Sequence, residues 1–165
     1  MYELLVRFCD WLQNTGWALN ISGSSWSYPF VQLIHFTGLS LWVGTNVAVD
    51  LKLLGMGKKQ ETPAQLNDAL FVWNWIGLLI AVTGGFMLFA TAATSFIVNP
   101  AFRIKLGMLV PVGIIWHIVV QQKTKKWGET TDTPGIAKFA GLLELLLWLG
   151  VATAAVSIPF FEHGS

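Results

Sequence analysis

Four apolar runs limit this chain more than any other feature, because each is close to the roughly 20 residues a helix needs to cross a hydrocarbon core about 30 Å thick. They lie at about 29–51 (from PFVQLIHFTG onward), 72–96, 101–121 and 136–160. Pro29 suits a first helical turn, and Asp50 marks the exit of the first run. Only a few residues around Asn99 and Pro100 separate the second run from the third, so those helices are expected to be antiparallel neighbours. The connections at 52–68 and after Val120 are polar and rich in turn formers. The pattern predicts an all-α integral membrane protein, a bundle of four transmembrane helices forming one domain over 1–165. Composition agrees: 12% of residues are charged, about half the share usual in a soluble domain. The nine Trp suit headgroup depth.

Ahead of the first run, Leu4, Leu5, Phe8, Trp11, Leu12 and Leu19 recur at helical spacing, with Glu3, Arg7, Asp10, Gln13 and Asn14 on the other face. This predicts an amphipathic helix over about 2–19 lying in the membrane interface. Glu3 and Asp10 beside Arg7, with no long apolar core, do not read as a secretory signal. Four spans put both termini on one side, with Arg7, Arg103 and Lys105. The other side holds Lys52, Lys58, Lys59, Lys123, Lys125, Lys126 and Lys138. An excess of Lys and Arg marks the cytoplasmic face, so the expectation is a bacterial inner membrane with both termini periplasmic.

Polar groups inside a span are costly and need a reason. On the first run His35, Gly38, Trp42 and Asn46 share roughly one helical face, with Asp50 at its edge. His35 is a candidate haem ligand, metal ligand or proton-handling group, and equally a neutral imidazole bonded across helices. His117 is the tempting second haem ligand. At 1.5 Å per residue, however, the two histidines come out roughly 13–15 Å apart along the membrane normal, too far for one iron. A haem held by His35 would sit nearer Met87, a thioether, with Arg103 and Lys105 facing its propionates or another anionic headgroup. Snorkelling cations and a packing Met are the plainer reading.

Deeper on the other side, Glu144 and His117 are expected to approach each other, with Asn46 and Asp50 nearby, either as a polar tie between helices or as a proton relay or quinone site. Gly77, Ala81 and Gly85 form a small-residue strip that admits another backbone. Pro111 should disturb the third helix. No nucleophile elbow, phosphate loop or zinc pattern occurs. A single cysteine, Cys9, allows neither an internal disulfide nor a Cys-based metal motif, and no catalytic set or metal site is assigned. A net charge of +1 points away from nucleic acid.

At SYPFVQLIHFTGLSLWVGTNVAVDLKLLG, WIGLLIAVTGGFMLFATA and NPAFRIKLG, the chain resembles a family of small four-span bacterial inner-membrane proteins classed as a domain of unknown function. The resemblance covers about 10–155. Tyr28 and Pro29, His35, and Asn99, Pro100, Phe102 and Lys105 match its pattern. Lys52 replaces an Arg, Glu144 stands where a small polar residue is usual, and a late Gly-Arg is missing. The first run is similar, more loosely, to the membrane domains of copper-resistance protein D and of b-type cytochromes. The resemblance implies the fold and outward termini, and carries no mechanism. The reading is therefore a non-catalytic subunit packed in lipid against other subunits of a larger membrane complex of redox type. A b-type haem electron carrier using His35 is the alternative, and copper or small-solute transport through His35, Met87 and Met108 is a weaker one.

Overall fold

The computed structural model describes residues 2–57, 60–127, 129 and 132–161, without the side chains at 111, 112 and 115. Lys58 and Lys59, two of the cations that set the expected orientation, lie outside the described residues. Among the described residues every regular element is helical: α1 (Tyr2–Gln13), α2 (Gly16–Gly23), α3 (Ser27–Leu53), α4 (Pro63–Thr91), α5 (Ala93–Val98), α6 (Pro100–Met108), a π-helical segment (Leu109–Trp116), α7 (His117–Trp127), α8 (Gly135–Ser157) and a 3₁₀ turn (Ile158–Phe161).

Local chemistry accounts for where these helices start and stop. The interfacial helix expected over 2–19 is two helices. Asn14 Nδ2 donates back to Asp10 O at 2.8 Å, Thr15 Oγ1 donates to Leu12 O at 2.7 Å, and Thr15 is extended before Gly16, so α1 stops there. α4 begins nine residues before the expected 72, because Thr62 and Gln65 form a reciprocal capping box with Pro63 in the first turn. The expected second span breaks at Ala92, leaving α5 as a separate short helix. Asn99 caps α6, accepting from Phe102 N at 3.2 Å, and its Nδ2 ties Ile158 O at 3.0 Å. The third run is likewise not one α-helix. The disturbance expected at Pro111 takes the form of the π segment, and the helix continues through α7 to Trp127.

α3 and α4 share the most extensive contact in the chain. Positions 31, 35, 38, 42, 45 and 49 of α3 face 63, 67, 70, 74, 77, 81 and 84 of α4, alternating three and four apart as in a coiled-coil seam. The helices run antiparallel in a fixed register: His35 lies against Gly84, Gly38 against Ala81, Trp42 against Gly77, and Thr45 against Asn74. A Cβ on Gly77 would stand 2.6 Å from Trp42 N, and one on Gly84 2.9 Å from His35 Cα. The strip of small residues is therefore filled by α3 of the same chain. The backbone that the strip was expected to admit is thus α3, and the strip is not open to a helix of another subunit.

α8 packs on α3 and α6, and α7 on α4 and α8. Trp42 and Trp148 meet edge to face, 4.8 Å between centroids at 84°, and with Ala81 form an apolar plug at mid-height. Phe89 (α4) stacks on Phe102 (α6) at 5.5 Å and 9°, with Phe96 (α5) beside them. We call the half carrying α1, α2 and the 3₁₀ turn the terminal half, and the half carrying the α3–α4 and α7–α8 connections the loop half. Among the described residues two helices, Pro63–Thr91 and Gly135–Phe161, are long and apolar enough to cross a membrane, with mean hydropathy 1.7 and 2.0. Only 22% and 28% of those windows are buried, unlike the core helix of a soluble domain. Large apolar side chains such as Val72, Leu79, Phe139 and Leu149 point outward, while Asn46, Asp50, Asn74, His117 and Glu144 are buried.

Candidate functional site

The inward polar side chains of the loop half belong to four helices and form one network. Thr45 Oγ1 donates to the carbonyl of Trp42 at 2.8 Å. That spends its only hydrogen, so Thr45 Oγ1 accepts from Asn74 Nδ2 at 2.8 Å. Asn74 Nδ2 also donates to Asn46 Oδ1. With its amide nitrogen turned that way, Asn74 presents Oδ1 to His117 Nε2 at 3.1 Å. A carbonyl oxygen only accepts, so Nε2 carries a hydrogen. The other ring nitrogen, Nδ1, meets Glu144 Oε1 at 2.9 Å. Glu144 in turn hydrogen-bonds the carboxyl of Asp50. One fixed backbone carbonyl thus sets a hydroxyl, an amide and an imidazole in turn.

These groups are almost fully removed from the surface: Asp50 is 1% exposed, Asn74 2%, Asn46 3% and Glu144 3%. Beside them is a cavity of about 10 Å³, also lined by Asn67 and Gln121, which is room for about one water molecule. Asn46 Nδ2, Asn67 Nδ2 and Asp50 Oδ2 are buried without a protein partner, two donors and one acceptor. Water is the molecule that can serve both kinds of group.

Asn46, Asp50, His117 and Glu144, singled out in the sequence, are brought together. Asn74, the hub that touches Thr45, Asn46 and His117, was missed, although an Asn inside the run FVWNWIG is the kind of costly group that calls for a partner. Asn67 and Gln121 were hidden by their position near helix ends.

In the second set, His35 with Met87, Arg103 and Lys105, the two cations take different positions relative to His35. His35 Nδ1–H donates to Ala81 O at 2.7 Å, and a Cβ on Gly85 would stand 2.9 Å from the ring. The ring is half-buried and its Nε2 faces away from that bond. Lys105 is close enough to act on it electrostatically, but Arg103 is exposed on another side of α6, since residues two apart on a helix do not share a face. Met108 rests against Gly150 of α8, on a different helix pair from His35. Both histidines lean on α4, His117 at Asn74 and His35 at Ala81 to Gly85. That separates them by about 10–16 Å along the helix, with the tryptophan plug between.

No curated protein and no solved structure matches this chain. The model of a family of unknown function (DUF6644) matches residues 13–161, and the chain therefore belongs to that family.

Proposed function

We propose that this chain is a four-span protein of a bacterial inner membrane, with both termini on the periplasmic side, serving as a non-catalytic subunit of a larger membrane complex of redox type. The spans are α3, α4, the α6–π–α7 rod and α8, and the loop half faces the cytoplasm. The observation that carries the non-catalytic reading is the interior of the loop half: its polar side chains are engaged with one another around a cavity of about 10 Å³. That volume takes a water and no substrate.

With the small-residue strip used inside the chain, the face left for a partner is that of α1. Cys9 and Leu12 of this helix are buried against Ala90 and Ala93, while Leu4, Leu5, Phe8 and Trp11 stay exposed. Lipid headgroups cover part of such a face and a neighbouring subunit the rest. Purification in a gentle detergent tests the reading. A co-migrating membrane protein is expected, and recovery only as a free monomer would overturn it.

One observation supports a second reading, haem binding through His35. With Nδ1–H given to Ala81 O, Nε2 keeps its lone pair, the arrangement that orients a ligating imidazole. Haem would then be held by His35, with Lys105 as the cation nearest for a propionate. A Soret band in native protein, abolished by His35→Ala and kept in His117→Ala, is the expected result on this reading. A native preparation without the band removes it.

A further inference from the structure

The network of the loop half contains more acceptor atoms than fixed hydrogens. Nε2 of His117 carries a hydrogen because it faces Asn74 Oδ1. The next two contacts, His117 Nδ1 to Glu144 Oε1 at 2.9 Å and Glu144 to Asp50, both join groups that are acceptors when deprotonated. Each contact is a hydrogen bond only if one hydron lies between its two atoms. Two hydrons bring the three residues to zero net charge, whether His117 and both carboxyls are neutral or one hydron sits on the ring opposite a carboxylate. Removing one leaves a net negative charge.

Among the described residues, those lining the cavity offer that charge no cation. α3 brings Thr45 and Asn46, α4 the amides Asn67 and Asn74, and α7 Gln121. Asp68 of α4 and Lys125 of α7 pair with each other at 3.4 Å, more than half exposed. An unpaired charge at this depth is costly, and two touching carboxylates cannot both ionise. A metal ion is a poor substitute for the hydrons, because Asn46 Nδ2 and Asn67 Nδ2, both unpartnered, turn donors toward the same space. Those donors fit a water oxygen, and Asp50 Oδ2 fits a water hydrogen.

We propose that Asp50, Glu144 and His117 form an internal proton-binding site that holds two shared hydrons, with the adjoining cavity seating the water through which the site exchanges them. When the hydron shared by Asp50 and Glu144 passes to that water, the bond between the two carboxyls is lost and the site becomes anionic. When one returns, the bond and neutrality are restored. The site stands independently of the subunit and haem readings, since it uses neither α1 nor His35.

Infrared spectroscopy of the full chain in a carbonyl-free detergent such as dodecylmaltoside tests it. At neutral pH the wild type should show a protonated-carboxyl C=O band that moves on exchange into D₂O. Asp50→Asn and Glu144→Gln should each shift or remove the band, and the double variant, in which amides supply the hydrogens, should lack it. Asp68→Asn, an exposed control, should leave it unchanged. A wild type without the band at neutral pH overturns the proposal. So does a band of wild-type position and intensity in either folded single variant, which keeps the test decisive if the double variant does not fold.

Discussion

Replacing Gly38 by Ala adds one methyl group at the closest approach of α3 and α4. That methyl would meet Ala81 N, with Ile80 C at 2.8 Å and Ala81 Cα at 2.9 Å. All three are backbone atoms and cannot rotate away. Ordinary carbon contacts lie at roughly 3.5–4.0 Å, so the helices must part by about 1 Å, and a gap of that size forfeits about a quarter to a half of each contact's dispersion energy along the seam. The bonds from Thr45 to Asn74 and from His35 to Ala81 O, 2.8 and 2.7 Å, would lengthen with it. Overpacking of this kind costs about 1–3 kcal/mol, and the backbone character of the clash puts Gly38→Ala near the upper end. Gly44, on the same helix, has nothing within 4 Å of a built Cβ, so Gly44→Ala should be neutral or stabilising by up to about 1 kcal/mol. Unfolding in mixed micelles with increasing SDS, followed by tryptophan fluorescence, measures both. A separation of about 3 kcal/mol between the variants is expected. Equal stability within about 0.5 kcal/mol would refute the packing argument.

Three further perturbations follow from the same contacts. Glu144→Ala removes the carboxyl partner of His117 and should cost about 3 kcal/mol in the same unfolding assay, whereas Glu144→Gln retains a hydrogen-bonding partner and should cost much less. Trp148→Ala opens the edge-to-face pair with Trp42 and should cost about 3 kcal/mol, again read by SDS unfolding. Gln13 Oε1 accepts from Thr94 N at 3.1 Å and from its hydroxyl at 2.8 Å, so Gln13→Ala should loosen α1 by about 1 kcal/mol. Cys9, 1% exposed, reports this as alkylation about five-fold faster. Burial holds the Cys9 thiol above its ordinary pKa, so in the wild type the alkylation rate should go on rising with pH beyond the usual thiol range. In Gln13→Ala it should level off earlier.

Hydrophobic length and spacing made the helices legible, because a run of about 20 apolar residues has few other uses. The same argument made the meeting of His117 with Glu144 and Asp50 foreseeable, since buried polar groups seek one another. Three things were not readable. The strip of Gly77, Ala81 and Gly85 announces a close approach but not whose backbone approaches, and here it is α3 of the same chain. A hydropathy run does not register a local break, so the stop at Thr15, the turn at Ala92 and the π segment before His117 escaped it. The widened turn also shifts the phase of everything after it, so the face on which His117, Gln121 and Thr124 are buried could not be extrapolated from Phe102. The pairing of Arg103 with Lys105 failed for a simpler reason, the two-residue spacing, which helix geometry alone excludes.

The account rests on four crossings with the termini outside, and labelling of single cysteines by a membrane-impermeant thiol reagent tests that directly. With Cys9 replaced by Ser, cysteines are placed singly at Asn14, Gln60, Ser95 and Glu129, all exposed in the structure. In spheroplasts of a bacterial host, the residues at 14 and 95 should label at once and those at 60 and 129 only after the membrane is permeabilised. Labelling of 60 and 95 from the same side would show that α4 does not cross, and the reverse pattern would show that the bundle is inserted the other way up.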